Sequence, residues 1–257
     1  MRYLLLLILI FPFARTEAQQ DSPLRIGVEY GSYNMAGEIN NRWEFRLPKT
    51  PYTPQEDETG SEHVNGEGEV DYAGLKSELS VWGNRLTFAS GLRYTRINQR
   101  ISPTWGTPLY LYHPSSQGVE LFRVHGMNES LGYLGVPLEA DILLWGRLSN
   151  WQTYVKAGMQ AGVKIHGKTT LDFVSREMEK YGDEIIASAG DTPSDFFLNT
   201  YCGLGLRLIL NNGIRLSIEV MFPPNFLTKD NFSLLTSKTY GGGQLSASFP
   251  VKLFSTK

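Results

Sequence analysis

A single cysteine, Cys202, in 257 residues excludes an intramolecular disulfide framework and any thiolate zinc cluster. A dominant charge is also missing. The 24 Lys+Arg stand against 26 Asp+Glu, a formal net charge of −2, which gives no basic surface for nucleic acid. No apolar run reaches the roughly 20 residues that a membrane-spanning helix needs, and the mean hydropathy is −0.23. Helical periodicity is scarce from Leu24 onward. These absences describe an ordinary soluble protein, with one exception. A membrane β-barrel has the same average composition, because its strands alternate apolar and polar residues.

What is present begins at the N-terminus. Arg2, the apolar run Tyr3–Phe13 and the small-residue exit around Thr16 and Ala18 have the layout of a secretory signal peptide, with cleavage expected after Ala18. The run is too short to span a bilayer, and Pro12 ends it. The expected organisation is a leader over 1–18 followed by one domain over 19–257.

Period-two alternation then dominates, the signature of half-buried strands. Leu134, Val136, Leu138, Ala140, Ile142 and Leu144 share one face of the clearest segment. Eight such segments are predicted, at about 24–34, 70–83, 86–98, 131–146, 151–167, 196–210, 214–222 and 240–254. Short turns at Asn84-Arg85, 147–150 and 211–213 alternate with long connections at 35–69, 99–130, 168–195 and 223–239. An up-and-down barrel explains that alternation, with every short turn at one end and every long loop at the other. The turn Asn211-Asn212-Gly213 fits a type I turn with glycine in the left-handed third position, and places Leu208 opposite Leu216 and Leu206 opposite Ile218. A four-residue turn at 147–150 pairs Gly146 with Trp151, and by the same count Asp141 with Lys156.

Alternation alone leaves two assignments open. A lipocalin-like secreted barrel buries its apolar face around a small ligand; a transmembrane barrel turns that face to lipid. The polar face carries Gly27, Gly31, Gly74, Gly91, Gly135, Gly158, Gly162, Gly203 and Gly205. Glycine weakens a solvated strand but suits a crowded lumen. The same face holds Arg25, Lys76, Arg93, Lys156, Lys164, Arg207, Arg215 and Lys252 with Glu29, Glu78, Glu139, Asp141 and Glu219. Mixed signs fit an ion-paired, side-chain-filled interior better than a single-sign pore. Trp151, Phe222 and Phe249 fall on the apolar face near strand ends, as interfacial aromatics do. Trp82 and Trp145 fall on the polar face by strict count, unless a bulge redirects them.

The segment Gly132–Trp145, GYLGVPLEADILLW, resembles the aromatic-Leu-x-Ile/Val-Pro-Leu strand of PorT-type outer-membrane β-barrel proteins, matching at Tyr133, Leu134, Val136, Pro137 and Leu138. The leader followed by Gln19-Gln20 and the strand LRIGVEYG are similar to the same family. The resemblance implies a Gram-negative outer-membrane barrel, and some relatives assist type IX secretion. One departure is C-terminal: such barrels commonly end on an aromatic residue, whereas Phe254 is followed by Ser-Thr-Lys.

Candidate chemistry is sparse. Glu56, Asp57, Glu58, Glu62, His63, Glu67, Glu69 and Asp71 form an acidic stretch without EF-hand spacing, which reads first as a solvated loop and second as a cation site. Gly203 and Gly205 lack the third glycine and helix of a nucleotide loop, and Gly241-Gly-Gly243 reads as a strand entry. A lipid A deacylase or acyltransferase would need a serine–histidine pair near the outer rim; His113, His125 and His166 show no coupled spacing. Cys202 is assigned to the lipid face. Phe173, Met178, Tyr181, Ile185 and Ile186 mark the third long connection as a short surface helix, for a partner or for packing over the barrel mouth.

The expectation is an all-β, eight-stranded, antiparallel up-and-down transmembrane β-barrel in the outer membrane, with both termini and the short turns periplasmic and the long loops extracellular. Its role is structural or surface interaction, with a link to protein secretion in view. No catalytic residue, cofactor or metal is expected. The expected partners are outer-membrane lipid and lipopolysaccharide, the barrel-insertion machinery and an envelope protein, with no nucleic acid.

Overall fold

The computed structural model describes residues 24–39, 45–46, 64–82, 84–103, 108–115, 118–146, 150–188, 193–228 and 234–251. The leader, Glu56–His63, Lys252 and Phe254 lie outside the described residues.

Eight of the strands close a ring. They are β1 (Leu24–Ile39), β3 (Val64–Val81), β4 (Leu86–Pro103), β6 (Gly118–Trp145), β7 (Trp151–Phe173), β8 (Phe196–Ile209), β9 (Arg215–Met221) and β11 (Leu235–Pro250). Each pairs antiparallel with the next, and β11 returns to pair with β1, so the ring of eight is closed. Three short strands, β2 (Phe45–Arg46), β5 (Leu109–Ser115) and β10 (Asn225–Phe226), attach to this ring. The chain begins and ends the barrel at the end carrying the short turns, where Val251 N–H bonds Leu24 O at 3.0 Å. Below, this is the turn end; the opposite one is the loop end.

All eight strand positions match the alternation in the sequence, but their lengths do not. The strands β3 and β4 each have 18 residues, β7 has 23 and β6 has 28. A membrane needs only about 9–11. Much of the sequence read as long loops at 35–69, 99–130 and 168–195 is therefore strand. After Pro103 the ladder of β4 resumes as β5, which pairs with Gly118–Val124 of β6. The third connection does contain a helix, α1 (Gly182–Ser188), entered through a 3-10 turn at Arg176–Tyr181.

The strands also exchange their inner and outer polarity part-way along. On β4, Phe88, Leu92 and Tyr94 face outward and are exposed, while Thr87, Arg93 and Thr95 are buried. From Arg96 onward the outward positions are Arg96, Asn98 and Arg100, and the buried ones include Ile97 and Ile101. No bulge lies in β4 between them. The same exchange occurs between Tyr30 and Tyr33 on β1, between Ala73 and Val70 on β3, and between Leu134 and Leu131 on β6. Below this level apolar side chains cover the outside and charges fill the inside. Above it the wall is polar outside and its inside is filled mainly by apolar side chains, with Gln99 and Glu129 buried among them, as in a water-soluble barrel. A sheet placed in a bilayer requires that exchange at the membrane surface.

The turns follow the sequence with two corrections. Leu208 and Leu206 face Leu216 and Ile218, Gly213 has φ 78°, and Leu210 N–H bonds Ile214 O at 2.8 Å. Asp141 lies opposite Lys156 as counted. However, Leu144 bulges, so Trp145 pairs with Thr153 and the Gly146–Trp151 pair of the simple count is lost. That bulge leaves Trp145 69% exposed at the turn-end rim instead of in the lumen. The first turn is not the dipeptide Asn84-Arg85: Val81 pairs with Leu86, Trp82 and Asn84 take positive φ, and Trp82 is 77% exposed.

Candidate functional site

Of the thirteen charged residues assigned to the lumen from the sequence, eleven are buried inside the barrel: Arg25, Lys76, Arg93, Lys156, Arg207 and Arg215 with Glu29, Glu78, Glu139, Asp141 and Glu219. Lys252 lies outside the described residues. Lys164 is not part of the cluster. It sits toward the loop end, bonded to Asp195 at 2.7 Å and Pro193 O at 2.6 Å, and Asp195 is 92% exposed.

The buried charges are balanced to within one unit, and they meet across strands that are far apart in sequence. Lys156, with no accessible surface, reaches Glu139 and Glu219 at 2.9 Å each and Asp141 only at 3.9 Å. Direct opposition in the ladder therefore does not decide the pairing; Asp141 instead accepts from Arg207 at 2.7 Å. Arg93 bridges Glu29 at 2.6 Å and Glu139. Lys76 pairs with Glu78 at 2.9 Å, and Ser248 donates to Glu78 at 2.9 Å. At the turn end Arg25 donates to Gly213 O and Ser248 O, and Arg215 donates to Ser80 at 3.1 Å. An isolated charge at such depth would be destabilising by several kcal/mol, and the mutual pairing of these side chains offsets that cost.

Tyrosines complete this interior, and sequence alternation overlooked them because they share the polar parity. Tyr154 donates to Glu219 at 2.6 Å, Tyr201 to Glu139 at 2.7 Å, and Tyr72 to Gln244 at 2.6 Å. Arg93 stacks on Tyr72 at 4.5 Å and Arg207 on Tyr154 at 4.4 Å. Each ring lies over a glycine of an adjacent strand. An added Cβ would come within 2.2 Å of the Tyr72 ring at Gly31 and of the Tyr154 ring at Gly205. Gly31, Gly158 and Gly205 are thus seats for the rings of Tyr72, Tyr201 and Tyr154, a signal present in the sequence as Gly and Tyr recurring on one face.

Above the charges, two apolar layers fill the barrel. Tyr33, Val70, Ile97, Leu131, Tyr133, Phe197 and Met221 form the first, with Tyr133 and Phe197 stacked at 5.1 Å. Ile101, Leu109, Val124, Met127, Phe173 and Leu235 form the second, which Ile185 of α1 caps. Phe173 and Ile185 thus pack over the mouth, while Met178 and Tyr181 remain exposed.

The other candidates disperse. His166 does not face the lumen: Ile165 bulges, Gly132 pairs with His166 and Tyr133 with Lys164, and the outward face receives His166, Lys168 and Thr170. His125 is the exposed extra residue of a second bulge in β6. The Ser130 hydroxyl donates to Asn98 at 2.9 Å and accepts from Arg96 at 3.3 Å. Glu67, Glu69 and Asp71 are strand residues on the outside of β3, not loop residues, and among the described residues no group of His, Cys, Asp or Glu is arranged to hold a metal. Gly241–Gly243 lie inside β11, where a Cβ on Gly242 would come within 2.0 Å of Ser32 O. Cys202 is exposed on the lipid face.

No family model matches the chain, and no curated protein matches it. Among solved structures, the translocator domain of autotransporter NalP from Neisseria meningitidis is similar at 10% identity and a TM-score of 0.33, covering 91% of this chain and 90% of that one. LpxR from Salmonella typhimurium gives 8% and 0.26, covering 88% and 100%. The transport unit of the autotransporter AIDA-I from Escherichia coli gives 9% and 0.22, covering 93% and 92%. The assignment as a closed transmembrane barrel rests on the strand pairing and on the exposed apolar belt, in which Ile26, Leu75, Leu92, Leu138, Val163, Leu204 and Ile218 are outward.

Proposed function

We propose that the chain is an integral outer-membrane barrel with a closed lumen, which acts through its loop-end extension as a surface platform and conducts no solute. The observation that carries this reading is the interior itself: a balanced, mutually bonded charge layer with two apolar layers stacked above it. A channel would line one continuous path with solvated groups. Here Lys156, Arg93 and Tyr154 are wholly buried. The extension built from β3 to β7 holds the loop end away from the bilayer, with the exposed Met178 and Tyr181 at its top. In this reading the turns and both chain ends face the periplasm and the loop end faces outward. The PorT-type resemblance of Gly132–Trp145 supports an envelope role connected with secretion, by contact with a partner protein and not by translocation through the lumen.

Purified barrel reconstituted into liposomes tests the closed lumen. No swelling in small sugars and no stepwise bilayer conductance is expected; solute flux that depends on the folded protein would overturn it.

A further inference from the structure

On the outside of the barrel, immediately above the apolar belt, lies a groove of about 720 Å³ that the closed lumen does not explain. Its floor is β6, with Ser130 and Asn128. One wall carries Arg96 and Arg100 of β4, the other His166 and Lys168 of β7. Two strand spacings separate the walls, roughly 10 Å, enough for a phosphate group between them. Glu67 and Glu69 of β3, opposite Arg100 and Asn98, line the groove on its β3 side, so its cationic part is the stretch over β6 between Arg96, Arg100 and Lys168.

Three observations point to a ligand in this place. First, Arg96 leans over the floor instead of only facing Asp71: its Nε donates to Ser130 Oγ at 3.3 Å. Second, the Ile165 bulge decides what the second wall is. With strict alternation Lys168 would point into the apolar filling of the extension; the extra residue turns it and His166 outward. Third, the same strands carry an apolar trough further down the lipid face, where Ser90, Ala140 and Ala157 are low between Phe88, Leu138 and Met159. Arg96 lies six positions beyond Ser90 on β4, about 20 Å along the strand. An acyl chain hanging from a headgroup in the groove runs toward this trough.

We propose that the groove binds a phosphorylated, multiply acylated glycolipid of the outer leaflet, lipopolysaccharide, with Arg96, Arg100 and Lys168 on the headgroup phosphate and an acyl chain along the belt beneath. This rests on the reading above that the loop end faces outward. Guanidinium groups offer paired donors to phosphate oxygens, and proximity to the hydrocarbon edge weakens screening by water.

Native mass spectrometry of the full chain folded in uncharged detergent provides the test, with bisphosphorylated lipid A, dephosphorylated lipid A and inorganic phosphate as probes. Retention of bisphosphorylated lipid A is expected, with at least about tenfold weaker retention for the Arg96→Gln/Arg100→Gln/Lys168→Gln variant. Lys168→Gln alone, a change at one exposed side chain, is expected to weaken retention about fivefold. Arg85→Gln at the turn end is expected to leave it unchanged. Equal retention by the triple variant, equal retention of dephosphorylated lipid A, or displacement by equimolar inorganic phosphate would overturn the proposal. The micelle assay is blind to orientation and to conductance, so its failure counts against the groove and not against the closed barrel.

Discussion

Replacing Glu139 by glutamine removes one charge from the centre of the lumen and keeps the side chain's shape. Three donors converge on this carboxylate: Arg93 Nη2, Lys156 Nζ at 2.9 Å and Tyr201 OH at 2.7 Å. Two of them are cationic, and a charge-assisted bond is roughly twice as strong as a neutral one, so the loss is about 1 kcal/mol at each. The excess positive charge left behind adds a similar amount, for a total of about 3 kcal/mol. Removal of a buried partner ranges up to about 5 kcal/mol, and the lower figure applies because both cations keep a second anion. Arg93 retains Glu29 at 2.6 Å and Lys156 retains Glu219 at 2.9 Å. Urea unfolding of the barrel in lipid vesicles, followed by tryptophan emission and heat-dependent gel migration, measures the change. Lys156→Met is expected to be destabilising by a similar amount, and the double variant by about 2 kcal/mol less than the sum. A loss below about 0.5 kcal/mol for Glu139→Gln, together with an additive cycle, would mean that water screens these charges. The packed interior would then be refuted.

Two further outcomes follow from the same packing. Gly205→Ala is expected to be destabilising by about 2–3 kcal/mol, because Tyr154 is held by Glu219 and Arg207 and cannot swing away, whereas Gly243→Ala, whose nearest neighbour is Glu219 O at 3.7 Å, stays within about 0.5 kcal/mol; vesicle unfolding compares the two. Cys202, the only thiol, is expected to resist a charged maleimide in folded vesicle-bound protein and to react with a membrane-permeant one, and rapid labelling by the charged reagent would contradict its lipid-facing position.

Much of the ring was legible in the sequence because parity and turn chemistry are local. The pairing of Leu208 with Leu216 needs only Gly213 in its left-handed position, and the outward set Phe88, Leu92 and Tyr94 needs only period two. The extension was not legible for a related reason. On β4 the apolar positions change from even to odd between Tyr94 and Ile97, so a scan for one continuous phase ends the strand where the environment changes. Bulges at Leu144 and Ile165 hid more, since one extra residue inverts everything beyond it: Trp145 left the lumen, and His166 and Lys168 moved to the outside. The charges of the lumen could be listed from parity, but their partners could not. Lys156 faces Asp141 in the ladder yet bonds more closely to Glu139 and Glu219, because side chains this long meet across the interior of a narrow barrel.

On β4 the exchange of inner and outer polarity runs along one unbroken strand and can be read position by position. Nitroxide labels placed one at a time at Phe88, Ser90, Leu92, Tyr94, Arg96, Asn98 and Arg100, in a Cys202→Ser background, all sit on the outward face. In vesicles, collision with dissolved oxygen is expected to dominate through Tyr94, and collision with a water-soluble nickel chelate from Arg96 onward. Oxygen dominance continuing through Arg100, or chelate access at Leu92, would contradict it.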